Sequence, residues 1–219
     1  MKAINPRLKD YIEAEILPRY REFDSAHRID HVQEVIRGSL ELALHYDVDV
    51  DMVYTVAAYH DTGLCGGREE HHILSGRILR GDATLKHYFS PDKIEIMAQA
   101  VEDHRASSSH APRSIYGRIV AEADRIIDGP TIVRRTIRYG LSHYPQLDKE
   151  GHYLRFLEHM AEKYAQGGYL KLWIPQSPNA ERLASFQQLL KDPAATREMF
   201  EREWNSRHNA EFTLFSCSL

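Results

Sequence analysis

Ala57-Ala58-Tyr59-His60-Asp61-Thr62-Gly63 sets two metal-binding side chains next to each other where a helix-forming stretch runs out. Upstream, Asp51 can cap free amides at the start of a helix that carries Val53, Val56, Ala57 and His60 along one side. Neighbours on a regular helix point about 100° apart, so one ion takes both most easily where the helix ends and the backbone can turn. Gly63, Gly66 and Gly67 mark such an end, and Ala57, Ala58 and Gly63 leave room for a close approach.

Outward from this point the pattern stays helical. Ile29, Val32, Val35, Ile36, Leu40, Leu42, Ala43 and Tyr46 gather largely on one face, with Asp24 and Ser25 as turn and cap residues and His31 near the start. An earlier helix is expected from about Pro6 to Phe23, kinked at Pro18 by the missing backbone donor. Downstream, one helix is expected from Glu69 to Leu79. A second begins after Ser90-Pro91 and ends at His104, and a third runs from Ser114 to Ile127, stopped by Gly129-Pro130, with Asp124 beside its apolar face. Further helices are expected near 131–144, 150–165, 178–190 and 193–205. No stretch alternates like a strand, and no Gly/Ser linker or internal repeat interrupts the chain. The expectation is an all-α bundle, one domain over 1–219 with a core at about 24–130 and a C-terminal helical extension. The apolar tail, Phe212 to Cys217, is suited to docking or self-association, so a homo-oligomer is an open expectation.

Composition removes other classes. The 219 residues hold 28 Lys+Arg against 32 Asp+Glu, a formal charge of −4, and no basic run that would neutralise a phosphate backbone; nucleic acid is not an expected partner. No apolar run approaches the ~20 residues of a bilayer span, and the N-terminus lacks the apolar segment of a secretory signal. The 2 Cys are far apart in sequence, so neither a disulfide framework nor a thiolate zinc knot is supported, and a cytoplasmic location is expected. By contrast 13 His is a high count, and their spacing is what carries chemistry.

His31, His60, Asp61 and Asp124 form a two-imidazole, two-carboxylate set. Such N/O donors suit a divalent first-row ion, whereas calcium would want more oxygens and no imidazole. Asp124 lies among Val120, Ala123 and Ile127, where a carboxylate must find a cation or donors.

The order His31, then His60-Asp61, then Ala123-Asp124-Arg125 resembles the H…HD…D signature of the HD superfamily of metal-dependent phosphohydrolases. Asp24-Ser-Ala-His27-Arg28-Ile-Asp30-His31-Val32 resembles the entry helix of its small bacterial members, and the likeness covers about 24–130. It implies a helical bundle in which His31, His60, Asp61 and Asp124 hold a divalent metal (Mn, Fe, Co, Ni, Zn or Mg). It implies catalytic roles for Asp61, His71 and His104; the two histidines stand where some members bind a second ion and others face substrate. Where many members carry a lysine after the HD pair, and one nucleotidase branch a glutamate, this chain has Leu64 and Cys65. Arg28, Arg105 and Arg125, with Arg68, stand beside the motif segments as candidate phosphate-binding residues. The implied activity is hydrolysis of a phosphoester or phosphoanhydride in a small nucleotide-like metabolite. A nucleotide-sensing module without turnover and an HD-like oxygenase with two bridged irons are the alternatives.

Overall fold

The structure, a computed structural model, describes residues 3–23 and 29–215, with side chains to 206. Asp24, Ser25, His27 and Arg28, and the side chains of the tail, lie outside the described residues. All regular structure among the described residues is helical, in the order α1 (Pro6–Tyr11), α2 (Ile29–Ala43), α3 (Val50–Tyr59), α4 (His71–Gly81), α5 (Pro91–Glu102), α6 (Ile115–Ala123), α7 (Gly129–His143), α8 (Lys149–Lys163), α9 (Asn179–Leu190) and α10 (Pro193–Phe215). None of these is long and apolar enough to cross a membrane.

Where the sequence suggests one domain with an extension, the chain divides into two compact units. The first comprises 1–125 with 171–177, the second 126–170 with 178–219. In the first unit α2 packs on α3 and α6, α5 on α4 and α6, and the fully buried Val32, Val56, Ala57, Met97, Val101 and Val120 fill the space between them. Segment 171–177 is tied to this unit through Glu122, fully buried on α6, whose carboxylate accepts from the Trp173 amide at 2.6 Å. In the second unit α7 packs on α8 and α10 around Phe156 and Phe200, both fully buried.

Local differences from the sequence expectation have local causes. The chain stays helical from Pro6 to Glu22, but Ile12–Ile16 widens to a π turn, with the Leu17 amide reaching Ile12, and Leu17–Glu22 tightens to 3-10 around Pro18. A proline without an amide hydrogen is accommodated by changing the winding on either side of it. Asp49, not Asp51, caps α3, while Asp51 accepts from the Asn5 amide at 2.8 Å. Helix α4 begins at His71, two residues later than the acidic pair suggests, because Gly67 at φ +100° swings the chain outward first. Helix α6 stops at Ala123, so Asp124 is its C-cap, and Gly129-Pro130 opens α7 as well as closing what precedes it.

Candidate metal centre

Five helix ends of the first unit meet at one place. His31 comes from the first turn of α2, and His60 and Asp61 follow α3. His71 opens α4, His104 lies just past α5, and Asp124 ends α6. The adjacent pair converges because the backbone turns between its members: His60 is still helical, whereas Asp61 has φ −110° and ψ 6°. His60, His104, Asp61 and His31 are buried, and Asp124 keeps 24% of its side chain exposed, which leaves one side open to solvent.

Two sets of donors form. His31 Nε2 lies 3.3 Å from His60 Nε2 and 3.3 Å from Asp124 Oδ1. His71 Nε2 and His104 Nε2 lie 3.2 Å apart, each 3.3 Å from Asp61 Oδ1. Asp61 joins the sets, because its other oxygen, Oδ2, is 3.2 Å from His60 Nε2 and 3.6 Å from His31 Nε2.

The tautomers explain why a cation fits. Nδ1 of His60 meets the Ala57 carbonyl at 2.7 Å, that of His71 meets Arg68 at 2.8 Å, and that of His104 meets Val101 at 2.6 Å. A carbonyl only accepts, so each Nδ1 carries the hydrogen and each Nε2 of a neutral ring turns its lone pair inward. The lone pairs of His71 and His104, 3.2 Å apart, repel unless a positive charge lies between them, and His60 Nε2 likewise turns a lone pair to His31 Nε2 at 3.3 Å. With metal–nitrogen bonds of ~2.1 Å, two donors of one ion stand roughly 3.0 Å apart at right angles and 3.4 Å at the tetrahedral angle, which brackets both pairs. His31, His60 and Asp124 could hold one ion, and Asp61, His71 and His104 another.

Charge is balanced accordingly. Burial alone would raise the Asp61 carboxyl, but His60, His104 and His31 outweigh it and hold Asp61 well below the usual carboxylate range. Burial also opposes charge on His31, yet the carboxylates of Asp124 and Asp61 override it and raise the imidazole to about 9. His71 goes the other way, lowered to about 4 by burial and by the neighbouring His104. At pH 7 the His71 lone pair is therefore available, whereas a cation entering beside His31 must displace a proton. Since His31 stays protonated below about 9, cation affinity is expected to rise by about one logarithmic unit per pH unit up to that point and then level off. Calorimetry at pH 7.5 in two buffers of different ionisation enthalpy should show proton release, from His31 and from His104, whose imidazole Asp61 likewise raises against burial; no release would show that neither binds a cation.

The arginines separate. Arg125 directs Nη1 to the carbonyls of Ala121 (2.5 Å) and His104 (3.1 Å) and Nε to Lys171 (3.0 Å), pinning the segment that carries His104. Arg105 reaches the Glu69 carbonyl at 2.5 Å, bracing the approach to α4. Arg28 lies outside the described residues. His72 is half-buried beside His71, with ring centroids 5.6 Å apart.

Sequence reasoning misses Tyr20. Its hydroxyl, fully buried, donates to the Ala58 carbonyl at 2.9 Å and accepts from the Asp61 amide at 3.2 Å, fixing the turn that presents Asp61. Burial and then the Asp61 charge keep that phenol protonated. Nothing in Leu17-Pro-Arg-Tyr20 signals the role, since it depends on how α3 ends. Ser75 is missed likewise; its Oγ accepts from the Gly63 amide at 2.8 Å and ties the HD turn to α4.

An all-α unit whose helix ends bring four imidazoles and two carboxylates together is a candidate metal-binding domain. Residues 28–127 match the family model of the HD domain, a span that includes all six side chains. No curated protein matches the chain. Among solved structures, a "predicted HD superfamily hydrolase" from an uncultured Thermotogales bacterium is similar, with 18% identity and a TM-score of 0.45, over 71% of this chain and 84% of that one.

Proposed function

We propose that the protein is a metal-dependent phosphohydrolase that removes phosphate or pyrophosphate from a small nucleotide-like metabolite, with no nucleic-acid or membrane partner. The observation that carries this reading is the junction at Asp61, one oxygen turned to each set of imidazoles. Bound divalent ions in such a pair of sites polarise a phosphoryl oxygen and lower the pKa of water. The chain's own part is geometric. His31, His60 and Asp124 would hold one cation and Asp61, His71 and His104 the other, with Asp61 lying between the two sets. The part-exposed edge at Asp124 faces solvent and is where substrate enters. In this reading neutral His71 serves as a ligand, since an imidazole held at about 4 carries no proton to donate at neutral pH. Arg105 stays near enough to the α4 entrance to contact a phosphate, whereas Arg125 acts by holding the His104 segment.

The test is purified protein loaded with Mn²⁺ or Co²⁺ and assayed for phosphate and pyrophosphate release across nucleoside mono-, di- and triphosphates, with His60→Ala as control. Release that vanishes in His60→Ala supports the reading. Full metal occupancy with nucleotide bound but unchanged would favour a sensing module, and redox-dependent optical bands from bound iron an oxygenase.

A further inference from the structure

A second cleft lies in the first unit, on the side of α2 turned away from His31. Ile36, Leu40 and Leu44 follow one another along that side, roughly opposite His31 on a helix of 3.6 residues per turn. Ile4 and Leu17, from the segments flanking α1, form the facing wall, and the volume is about 400 Å³. That is within the ~300–1,000 Å³ of small-molecule sites and toward the small end. Leu44 is 58% exposed at its mouth.

Tyr54 of α3 lines the same cleft. The residue is only 3% exposed, and its hydroxyl is buried with no hydrogen-bond partner. A buried hydroxyl left unpaired is destabilising, which a core position would ordinarily avoid by using phenylalanine. Burial, and then the charge of Glu13, raises this phenol to about 12, so it is a donor at neutral pH. The rim carries no unbalanced charge: Lys9 lies 3.8 Å from Glu13, and Arg37 lies 3.3 Å from Glu41, each pair one helical turn apart. Glu13, half exposed, lines the same wall, and a ligand oxygen reaches the buried hydroxyl only by displacing the atoms that cover it.

We propose that this cleft binds a small neutral molecule, apolar except for one oxygen that accepts a hydrogen bond from Tyr54 Oη. The apolar walls supply burial, the matched ion pairs discriminate against charged ligands, and the phenol selects for a carbonyl or ether oxygen. The site is separate from the metal centre and does not depend on the hydrolase reading.

The test is a methyl-resolved NMR titration of the full chain with acetophenone and ethylbenzene, which have similar shapes and differ chiefly in one carbonyl oxygen. Both are expected to give saturable shifts confined to Leu17, Ile36, Leu40 and Leu44, with acetophenone binding about fivefold more tightly, the size of one net hydrogen bond. Tyr54→Phe should bring the two affinities together while melting no lower than the parent, since it removes an unpaired hydroxyl without opening a cavity. Leu40→Trp, which fills the cleft, should abolish both sets of shifts. Equal affinities in the parent chain, shifts that do not saturate, or shifts centred elsewhere would each overturn the proposal without recourse to any variant.

Discussion

Asp61→Ala is expected to lower phosphate release by about a thousandfold or more and to reduce bound Mn²⁺ from two equivalents to fewer than one. The size of the effect follows from the double use of one carboxylate. Oδ1 stands 3.3 Å from the second pair of imidazoles and Oδ2 3.2 Å from His60, so deletion removes a donor from both sets and leaves four imidazoles sharing the single carboxylate of Asp124. His71→Ala is the discriminating comparison. It touches one set only, and should leave about one equivalent of metal bound with activity reduced less severely. Equal metal content in parent and Asp61→Ala, measured by elemental analysis on protein with unchanged far-UV circular dichroism, would remove Asp61 from the centre altogether.

The other large effect is expected at Gly63. A β-carbon there would sit 2.1 Å from the His71 carbonyl oxygen and 2.5 Å from the Ser75 amide nitrogen, both rigid backbone atoms of the first turns of α4. Even alanine must therefore push α4 away from the HD turn. The strain of such overpacking is about 1–3 kcal/mol, a melting temperature several degrees lower, and His71 is carried off Asp61 in the process. Gly63→Ala should accordingly lose the second equivalent of metal before it loses the first. Gly81→Ala, at the end of the same helix with open space around the position, is the control and should change neither property. A Gly63→Ala protein with parental stability and two metals would show that α4 need not approach so closely.

These two residues also show what the sequence discloses and what it withholds. His31, His60, Asp61 and Asp124 are legible as donor side chains, and periodicity places His31 and the His60-Asp61 pair at helix termini; it sets Asp124 within a helix running on to Ile127, whereas α6 stops at Ala123. The terminal turn at Asp61, inferred from the glycines that follow it, is present with the dihedral angles that allow adjacent side chains to converge. Helix limits are less legible. Asp49 and Asp51 are equally able caps by type, and only the approach of the Asn5 amide to Asp51 decides between them. Arg125 carries a guanidinium suited to phosphate, yet it is turned to three backbone carbonyls, one of them 46 residues away at Lys171, a circumstance no local pattern records. Tyr20 lies in a proline-disturbed helix and has an aromatic side chain like any other core residue; its hydroxyl acquires a role only when α3 ends against it.

The carbonyl contacts of His60, His71 and His104 carry a kinetic consequence. Each ring is oriented by an acceptor three residues earlier in its own chain segment. Fraying of one such turn frees the ring to rotate and to carry its hydrogen on the other nitrogen, which makes it a poor ligand at once. Escape of a bound ion is then expected to be gated by brief local openings rather than by global unfolding. Excess chelator should strip the protein at a rate that saturates with chelator concentration, the plateau marking how often those turns come undone.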